Sequence, residues 1–223
     1  MDKYIDQISF FSSLFLFRGI PIDGISDLLA DITPRFETYK KGETVFSREV
    51  NLGAIGFVRS GECDVLRLRS RDAMPLNTLR PTDSFGVLSL FGEIDAYPTQ
   101  IVSQSTTSIV FFDKSDIVKL TNRSKRILEN LLRFLADRIL FLNHKVAILG
   151  STTVTEKLSK HLLFLMREHK EREFNLNLAR LSDQLSCGRA SLYRAIDELC
   201  TLGYIHYDNK KIKILSPDGL ERM

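Results

Sequence analysis

Cysteine is scarce. Cys63, Cys187 and Cys200 are too few and too scattered for a disulfide framework or a zinc site, and such sparing use suits a reducing cytoplasm. An excess of one charge is also missing. Lysine and arginine total 31 against 28 aspartates and glutamates, a net charge of +3. A nucleic-acid role must therefore be argued from a motif and not from an overall basic field. No hydrophobic run is long enough to span a bilayer. The most apolar stretch, Ile8 to Phe17, is about half the length of a membrane helix. Asp2 and Asp6 spoil a cationic leader, and no small-x-small cleavage site precedes Pro21. The stretch reads as buried core, with no membrane partner expected. Biased composition is absent too: 43% hydrophobic and 26% charged residues exclude disordered, collagen-like and low-complexity classes. The 223 residues leave room for one large domain or two modest ones.

What is present changes character along the chain. Ile25, Leu28, Leu29 and Ile32 stand at i, i+3, i+4 and i+7, which predicts a short helix within 20–32. From Thr33 to Phe112 short apolar runs alternate with turn residues: Val45-Phe46 after Lys41-Gly42-Glu43, Gly53 to Val58 before Ser60-Gly61, then Cys63 to Leu68, the turn at Pro81-Thr82-Asp83, Ile101-Val102 and Ile109 to Phe112. Many short strands at regular spacing predict a sandwich or barrel, a shell whose interior can hold a small ligand.

Between about 124 and 149 there is neither glycine nor proline. Leu128, Leu132, Leu135, Ile139, Leu142, Val146 and Leu149 step by four and three, an a/d seam over about three heptads. Such a seam is narrower than the stripe of a helix lying on its own domain, so a two-stranded coiled coil joining two copies is favoured over that plainer reading. Gly150 to Thr153 is the expected hinge. Val154 to about His169 predicts another helix, with Leu158, His161, Leu162, Leu165 and Met166 on one stripe. His161 is expected to be a satisfied core histidine, since no partner with metal-ligand spacing is visible.

The most informative stretch is residues 177–199. Leu178, Leu181 and Leu185 point one way on a first helix; Ser186-Cys187-Gly188 make a tight turn; Leu192, Ala195, Ile196 and Leu199 are the buried face of a second helix. Its other face carries Ala190, Tyr193, Arg194 and Asp197, with Arg189 at the tip. Two short helices joined by a small-residue turn are a helix-turn-helix. Tyr204 to Tyr207 and Lys210 to Leu215 then alternate around a turn at Asp208-Asn209, predicting the hairpin of a winged helix. A helix tip fits the major groove of duplex DNA, and arginine can donate two hydrogen bonds to guanine. Arg189, Ala190 and Arg194 are the candidate base-contacting residues. Ser191, Tyr193, Lys210, Lys211 and Lys213 are the candidates for the DNA backbone, where contacts position without reading sequence. The plainer alternative is that both arginines form surface ion pairs.

Taken together, Leu14-Phe15 before the short helix, Lys41-Gly42-Glu43, Phe57 to Gly61, Arg80 to Gly86 and Leu181 to Arg189 fall in an order that resembles the CRP/FNR family of bacterial transcription regulators over nearly the whole length. The resemblance implies an α+β chain: an N-terminal double-stranded β-helix (β-roll or jelly roll) effector domain at 1–122, a dimerisation helix and hinge at 123–150, and a C-terminal winged helix-turn-helix at 151–223. It implies a cytoplasmic homodimer on double-stranded DNA, with recognition helices about 34–36 Å apart, and RNA polymerase as a candidate partner. Ala190 stands where many relatives carry a base-reading glutamate, so a different target sequence is implied.

The effector cassette departs from the family's cyclic-nucleotide pattern. Relatives that bind cyclic AMP carry a glutamate after the Phe-Gly and an Arg-Ser pair further on; here Val87 follows Phe85-Gly86, and Tyr97-Pro98-Thr99 stands near the Arg-Ser position. A buried phosphate without a cation or strong donors is unfavourable by several kcal/mol, roughly, so cyclic AMP is not expected unless Arg59 or Arg80 substitutes. An iron–sulfur cluster is not expected because no cysteine precedes Cys63, nor haem because no histidine precedes His144. The candidate pocket residues are Phe85, Gly86, Val87, Leu88, Ser89, Tyr97 and Thr99, with the dimer helix near Leu128 to Leu135. Two readings stay open: a small molecule other than cyclic AMP, or a cassette that is filled core in a regulator active without a ligand. A ligand-binding module that docks a protein partner through its winged helix is a further class. No catalytic triad, phosphate loop, dinucleotide fingerprint, metal cluster or carboxylate pair stands out, so no enzyme is expected.

Overall fold

The computed structural model describes residues 7–47, 49–50, 53–68, 73–92 and 99–223. Two compact units divide between Phe134 and Leu135.

The first unit begins with α1 (Ile8–Ser13), a 3-10 turn (Phe15–Phe17) and α2 (Ile22–Leu29). Strands β1 (Arg35–Tyr39), β2 (Thr44–Phe46), β3 (Ala54–Ser60), β4 (Cys63–Leu68), β5 (Ala73–Leu79) and β6 (Ser84–Phe85) follow; α3 (Val87–Phe91) separates them from β7 (Thr99–Ser103) and β8 (Thr107–Asp113). The strands form two four-stranded sheets, ordered β1-β8-β3-β6 and β2-β7-β4-β5, with every pairing antiparallel. The expected double sheet is therefore present. Helix α4 (Lys114–Arg123) closes the unit and α5 (Lys125–Leu149) begins in it.

The period of two in a strand explains where the cores lie. Along β8, Ile109 and Phe111 enter one core with Val45, Phe46, Val58, Cys63, Leu79, Phe85 and Ile101. Val110 and Phe112, pointing the other way, enter a second core with Phe11, Phe17, Ile25, Leu29, Leu120, Ile127 and Leu131. β3 divides likewise, Ala54 and Val58 to the first and Ile55 and Phe57 to the second. Both strands are covered on two faces, so their apolar runs are nearly continuous. Phe11, Leu14, Leu16 and Phe17 are all buried, as the Ile8–Phe17 stretch requires.

α5 grips the N-terminal segment with one face. The buried amide Nδ2 of Asn130 donates to the carbonyls of Leu16 and Arg18, both at 2.9 Å, Arg126 donates to the Arg18 carbonyl at 3.3 Å, and the Phe134 ring stacks on Phe15 at 4.1 Å.

The second unit holds the rest of α5, then α6 (Val154–His169), β9 (Glu173–Asn175), α7 (Leu178–Gln184), α8 (Arg189–Thr201), β10 (Ile205–Asp208), β11 (Lys211–Ile214) and α9 (Pro217–Glu221). α6 starts where Thr153 accepts from the Glu156 amide at 3.0 Å and Glu156 accepts from the Thr152 amide at 2.9 Å, a reciprocal cap. It stops at Lys170, whose φ is 56°. Asn177 caps α7 by accepting from the amides of Ala179 and Arg180. Leu181, Leu185, Leu192, Ala195, Ile196 and Leu199 share one core with Leu158, Leu162, Ile205, Ile212 and Ile214. Leu178 is only half-buried at its edge.

Two details correct the sequence reading. The wing turn is Asn209-Lys210, not Asp208-Asn209: both have positive φ, 46° and 65°, as a two-residue type I′ hairpin requires. The wing sheet has a third strand, with β9 pairing β11. Gly150, the expected hinge, closely follows Ile148 of the second core. The turn itself is bonded: Gly150 N–H to the Val146 carbonyl at 2.9 Å and the Ser151 hydroxyl to the Ala147 carbonyl at 2.9 Å.

Asn130→Ala should destabilise the protein by about 2 kcal/mol, because the Leu16 carbonyl loses a donor in a buried site and the Arg18 carbonyl keeps only Arg126. Urea unfolding of the full chain reads this, with an unchanged midpoint as the outcome against it.

Candidate functional site

Helix α8 is built from its buried side outward. Leu192, Ala195, Ile196 and Leu199 anchor it in the core, so the orientation of the other face is fixed. Arg189, Ala190, Tyr193, Arg194 and Asp197 are exposed there, and Ser191 is half-buried. Gly188, the N-cap, offers no side-chain acceptor to the first-turn amides. Arg194 donates to the Ser191 hydroxyl at 3.2 Å, so Ser191 steadies that arginine. Among the described residues neither Arg189 nor Arg194 has an ion pair, against the plainer expectation for them. Tyr193 lies near the wing: its phenol, after burial itself, helps push the Tyr207 phenol up. Lys210, Lys211 and Lys213 are exposed on the wing. Lys211 sits 3.6 Å from Glu173, a surface pair that a stronger anion can displace and that follows from the unforeseen β9.

On α5, the seven predicted seam residues present a separate face. Leu132, Ile139, Leu142, Val146 and Leu149 are more than half exposed, Leu128 is exposed and Leu135 half-buried. Leu140 and Phe141, outside the seam, are exposed as well. The faces that do find partners carry Ile127, Asn130 and Leu131 in the first unit, and His144 and Ile148 in the second.

The cassette residues are not gathered into one lining. Phe85 is core: its ring lies edge-on to Phe46 and Phe111, at 5.6 and 5.8 Å, over Gly56, where a Cβ would come within 2.2 Å of the ring. Gly86 has φ +82°, and a Cβ there would meet the Ala54 carbonyl at 2.3 Å, so only glycine fits. Val87 packs on the helical core, while Leu88 is 66% exposed. The Ser89 hydroxyl donates to the Gly86 carbonyl and accepts from the Gly53 amide. Thr99 is half-buried, and Tyr97 lies outside the described residues. Both arginines considered as phosphate partners are exposed: Arg80 is 3.4 Å from Glu62, and Arg59 lies 6.0 Å over the Phe36 ring.

Burial pushes the thiols of Cys63, Cys187 and Cys200 up from their ordinary value, which disfavours the reactive thiolate. Among the described residues no group of three or more metal-ligating side chains comes together, and no helix is long and apolar enough to cross a membrane. His161 is buried and satisfied as expected, but by His144, a partner the sequence pattern did not pair with it.

A double four-stranded β-roll followed in sequence by a winged helix defines an α+β protein. Known proteins agree. The cyclic nucleotide-binding domain model matches residues 36–124. The CRP-like cAMP-activated global transcriptional regulator of Mycobacterium tuberculosis is 25% identical over 218 residues, 93% of this chain and 95% of that one. Transcriptional activator protein FnrA of Stutzerimonas stutzeri is 22% identical over 202 residues, covering 87% of this chain and 82% of FnrA. The crystal structure of the Thermus thermophilus catabolite activator protein shares the fold with a TM-score of 0.54 at 21% identity, over 93% of this chain and 97% of that one. Over most of its length the chain is thus similar to a CRP-like and an Fnr-type transcription regulator, and residues 36–124 carry the match to the cyclic nucleotide-binding domain.

If Phe85 is core, Phe85→Ala should cost about 3–5 kcal/mol, and Gly56→Val should also destabilise, by roughly 1–3 kcal/mol of overpacking. Thermal unfolding with a ligand-free preparation measures both; a stable Phe85→Ala protein would return that ring to the pocket.

Proposed function

We propose that the protein is a homodimeric, sequence-specific DNA-binding transcription regulator. The observation that carries this reading is the α8 face, where exposed Arg189, Ala190 and Arg194 stand on a helix whose other side is fixed in the core. Arg189 and Arg194 supply the bidentate donors for base edges in the major groove. Tyr193, Ser191, Lys210, Lys211 and Lys213 hold the phosphates and set register. The exposed seam of α5 is covered by the same seam of a second copy, so that two recognition helices meet successive major grooves of a near-palindromic site. The setting is the cytoplasm, and RNA polymerase is a further partner of a protein in this role.

The effector is not cyclic AMP. Support comes from Val87 in place of an acidic residue and from the exposed positions of Arg59 and Arg80. The relative named as cAMP-activated is 25% identical, which leaves room for a changed effector. A second reading, regulation without any ligand, is favoured by two observations: Phe85 packs in the core between the sheets, and the Ser89 hydroxyl is engaged locally. No catalytic role is assigned; the relatives matched over most of their length are named as transcription regulators.

Selection from a randomised duplex pool should recover an inverted repeat. On that duplex Arg189→Ala and Arg194→Ala should each lose roughly 1–3 kcal/mol and relax specificity, whereas Lys213→Ala should weaken all sequences alike and lower the salt slope by about 1. Equal losses on selected and random duplexes would remove the arginines from base reading.

Leu142→Glu should turn the dimer into a monomer in native mass spectrometry without loss of helix content, because residue 142 lies on the exposed face. A wild-type chain that is monomeric at micromolar concentration would count against the seam.

A further inference from the structure

The last turns of α5 are held to α6 by two histidines and a phenylalanine. The Nε2 of His144 and the Nδ1 of His161 are 3.2 Å apart, and both residues are buried. The Phe164 ring lies flat on His144, 4.0 Å between centroids at 7°. Only one proton fits between the two facing nitrogens, so one ring must donate and the other accept. The same turns of α5 are tied by weaker means, Lys145 to the Gln184 carbonyl at 3.5 Å and Lys160 to the Ala147 carbonyl at 3.5 Å, and by the buried Ile148.

We propose that the His144–His161 contact is a proton-operated latch that holds the end of α5 against α6 while both rings are neutral and releases it on acidification.

The charge around the pair favours neutral rings. From α5, Lys145 bears on both rings, and His144 opposes charge on His161. Several other charged groups on the packed elements have partners of their own. On α6, Lys160 pairs with Glu156 at 2.7 Å, and Lys157 lies 3.5 Å from the Leu185 carbonyl. On α8, Glu198 accepts from the Thr155 hydroxyl at 2.6 Å. On α9, Glu221 pairs with Arg167 at 2.6 Å. Burial lowers His161 from 6.5 to about 4, with His144 and Lys145 adding to the effect, and lowers His144 in the same direction. The closed latch therefore binds fewer protons than an open one. Its stabilisation is complete above pH 6.5 and fades as pH falls towards 4. With His161 at 6.5 when open and about 4 when closed, linkage raises the opening equilibrium about 30-fold between pH 7.5 and 5.0. Glu156 does not titrate in this range, because the Lys160 ammonium and then the Thr152 amide hold it at about 2.

Seam residues Leu142, Val146 and Leu149 lie on these same turns of α5, exposed. Opening would free them from the unit that carries α8. That regulatory meaning rests on the DNA-reading proposal; the latch itself does not.

Hydrogen exchange of the full-length protein, corrected for the intrinsic pH dependence of amide exchange, tests it without DNA or effector. Amides of residues 142–151 should open about 30-fold more at pH 5.0 than at 7.5, while those of β3 and β8 stay unchanged. In the wild type, carbon-detected ring titration should show His161 protonating well below the ordinary imidazole value of 6.5. In a His144→Phe/His161→Phe double variant the pH dependence should vanish. Acid-insensitive exchange at 142–151, an equal rise in α7 and α8, or a 30-fold response that survives in the double variant would each overturn the latch. If the double variant does not fold, the wild-type ring titration and the contrast between 142–151 and α8 decide. Failure of the duplex selection would leave all of these readings untouched.

Discussion

A helix with more apolar surface than its own chain covers is the constraint from which the proposed assembly follows. α5 is 25 residues long, about 37 Å at 1.5 Å per residue. Ile127, Leu131 and Ile148 are buried, while Leu132, Ile139, Leu142, Val146 and Leu149 remain more than half exposed. Exposed apolar patches of this kind on soluble proteins mark interaction surfaces. The α5 seam has a period of three and four, and a period of that kind is matched by a second helix with the same period. A second copy supplies one without any new sequence feature. Leu140 and Phe141 lie outside the seam, so the apolar surface is broader there than a strict two-stranded contact needs.

Much of this architecture is legible because it rests on periodicity. The stretch Val154–His169 is bounded as its pattern predicts, since a capped start and an αL stop are local. The buried faces of α7 and α8 follow from leucine spacing, and the β8 run is apolar on consecutive residues because sheets and helices cover opposite faces. β9 is less legible: Glu-Phe-Asn is three residues long with two polar members, and it becomes a strand only because β11 offers it an edge. The wing turn is displaced by one residue from the simplest reading, because Lys210 takes a left-handed conformation that its side chain does not advertise. The His144–His161 contact was illegible because the two residues are on different helices, and no local pattern pairs them.

The cassette shows where residue identity alone does not decide a role. Aromatic and small residues at a ligand-binding position of a resembled family invite assignment as pocket lining, yet Phe85 and Gly56 are cross-strand partners with complementary volumes. A glycine opposite a phenylalanine lets the ring lie over the sheet, where it joins Phe46 and Phe111 in burying apolar surface worth about 2–3 kcal/mol for such a side chain. The cost of opening a ligand cavity there would be of that order before the ligand contributes anything. A ligand in this β-roll must therefore either lie beyond Phe85 or displace it, and the second course needs binding energy larger than the lost packing.

Two kinds of contact hold α5, and they differ in what can undo them. In the first unit Asn130 binds the Leu16 and Arg18 carbonyls, and Phe134 stacks on Phe15. Those groups carry no proton that comes or goes near neutral pH, so the grip is constant across that range. In the second unit the comparable position is taken by a pair of imidazoles, the one side chain whose ordinary titration falls there. Replacing amide by imidazole makes the hold on the end of the helix conditional. A conditional contact at the end nearer α8, and an unconditional one at the end nearer the β-roll, is the arrangement in which acid loosens α5 from the reader unit while leaving its hold on the N-terminal segment intact.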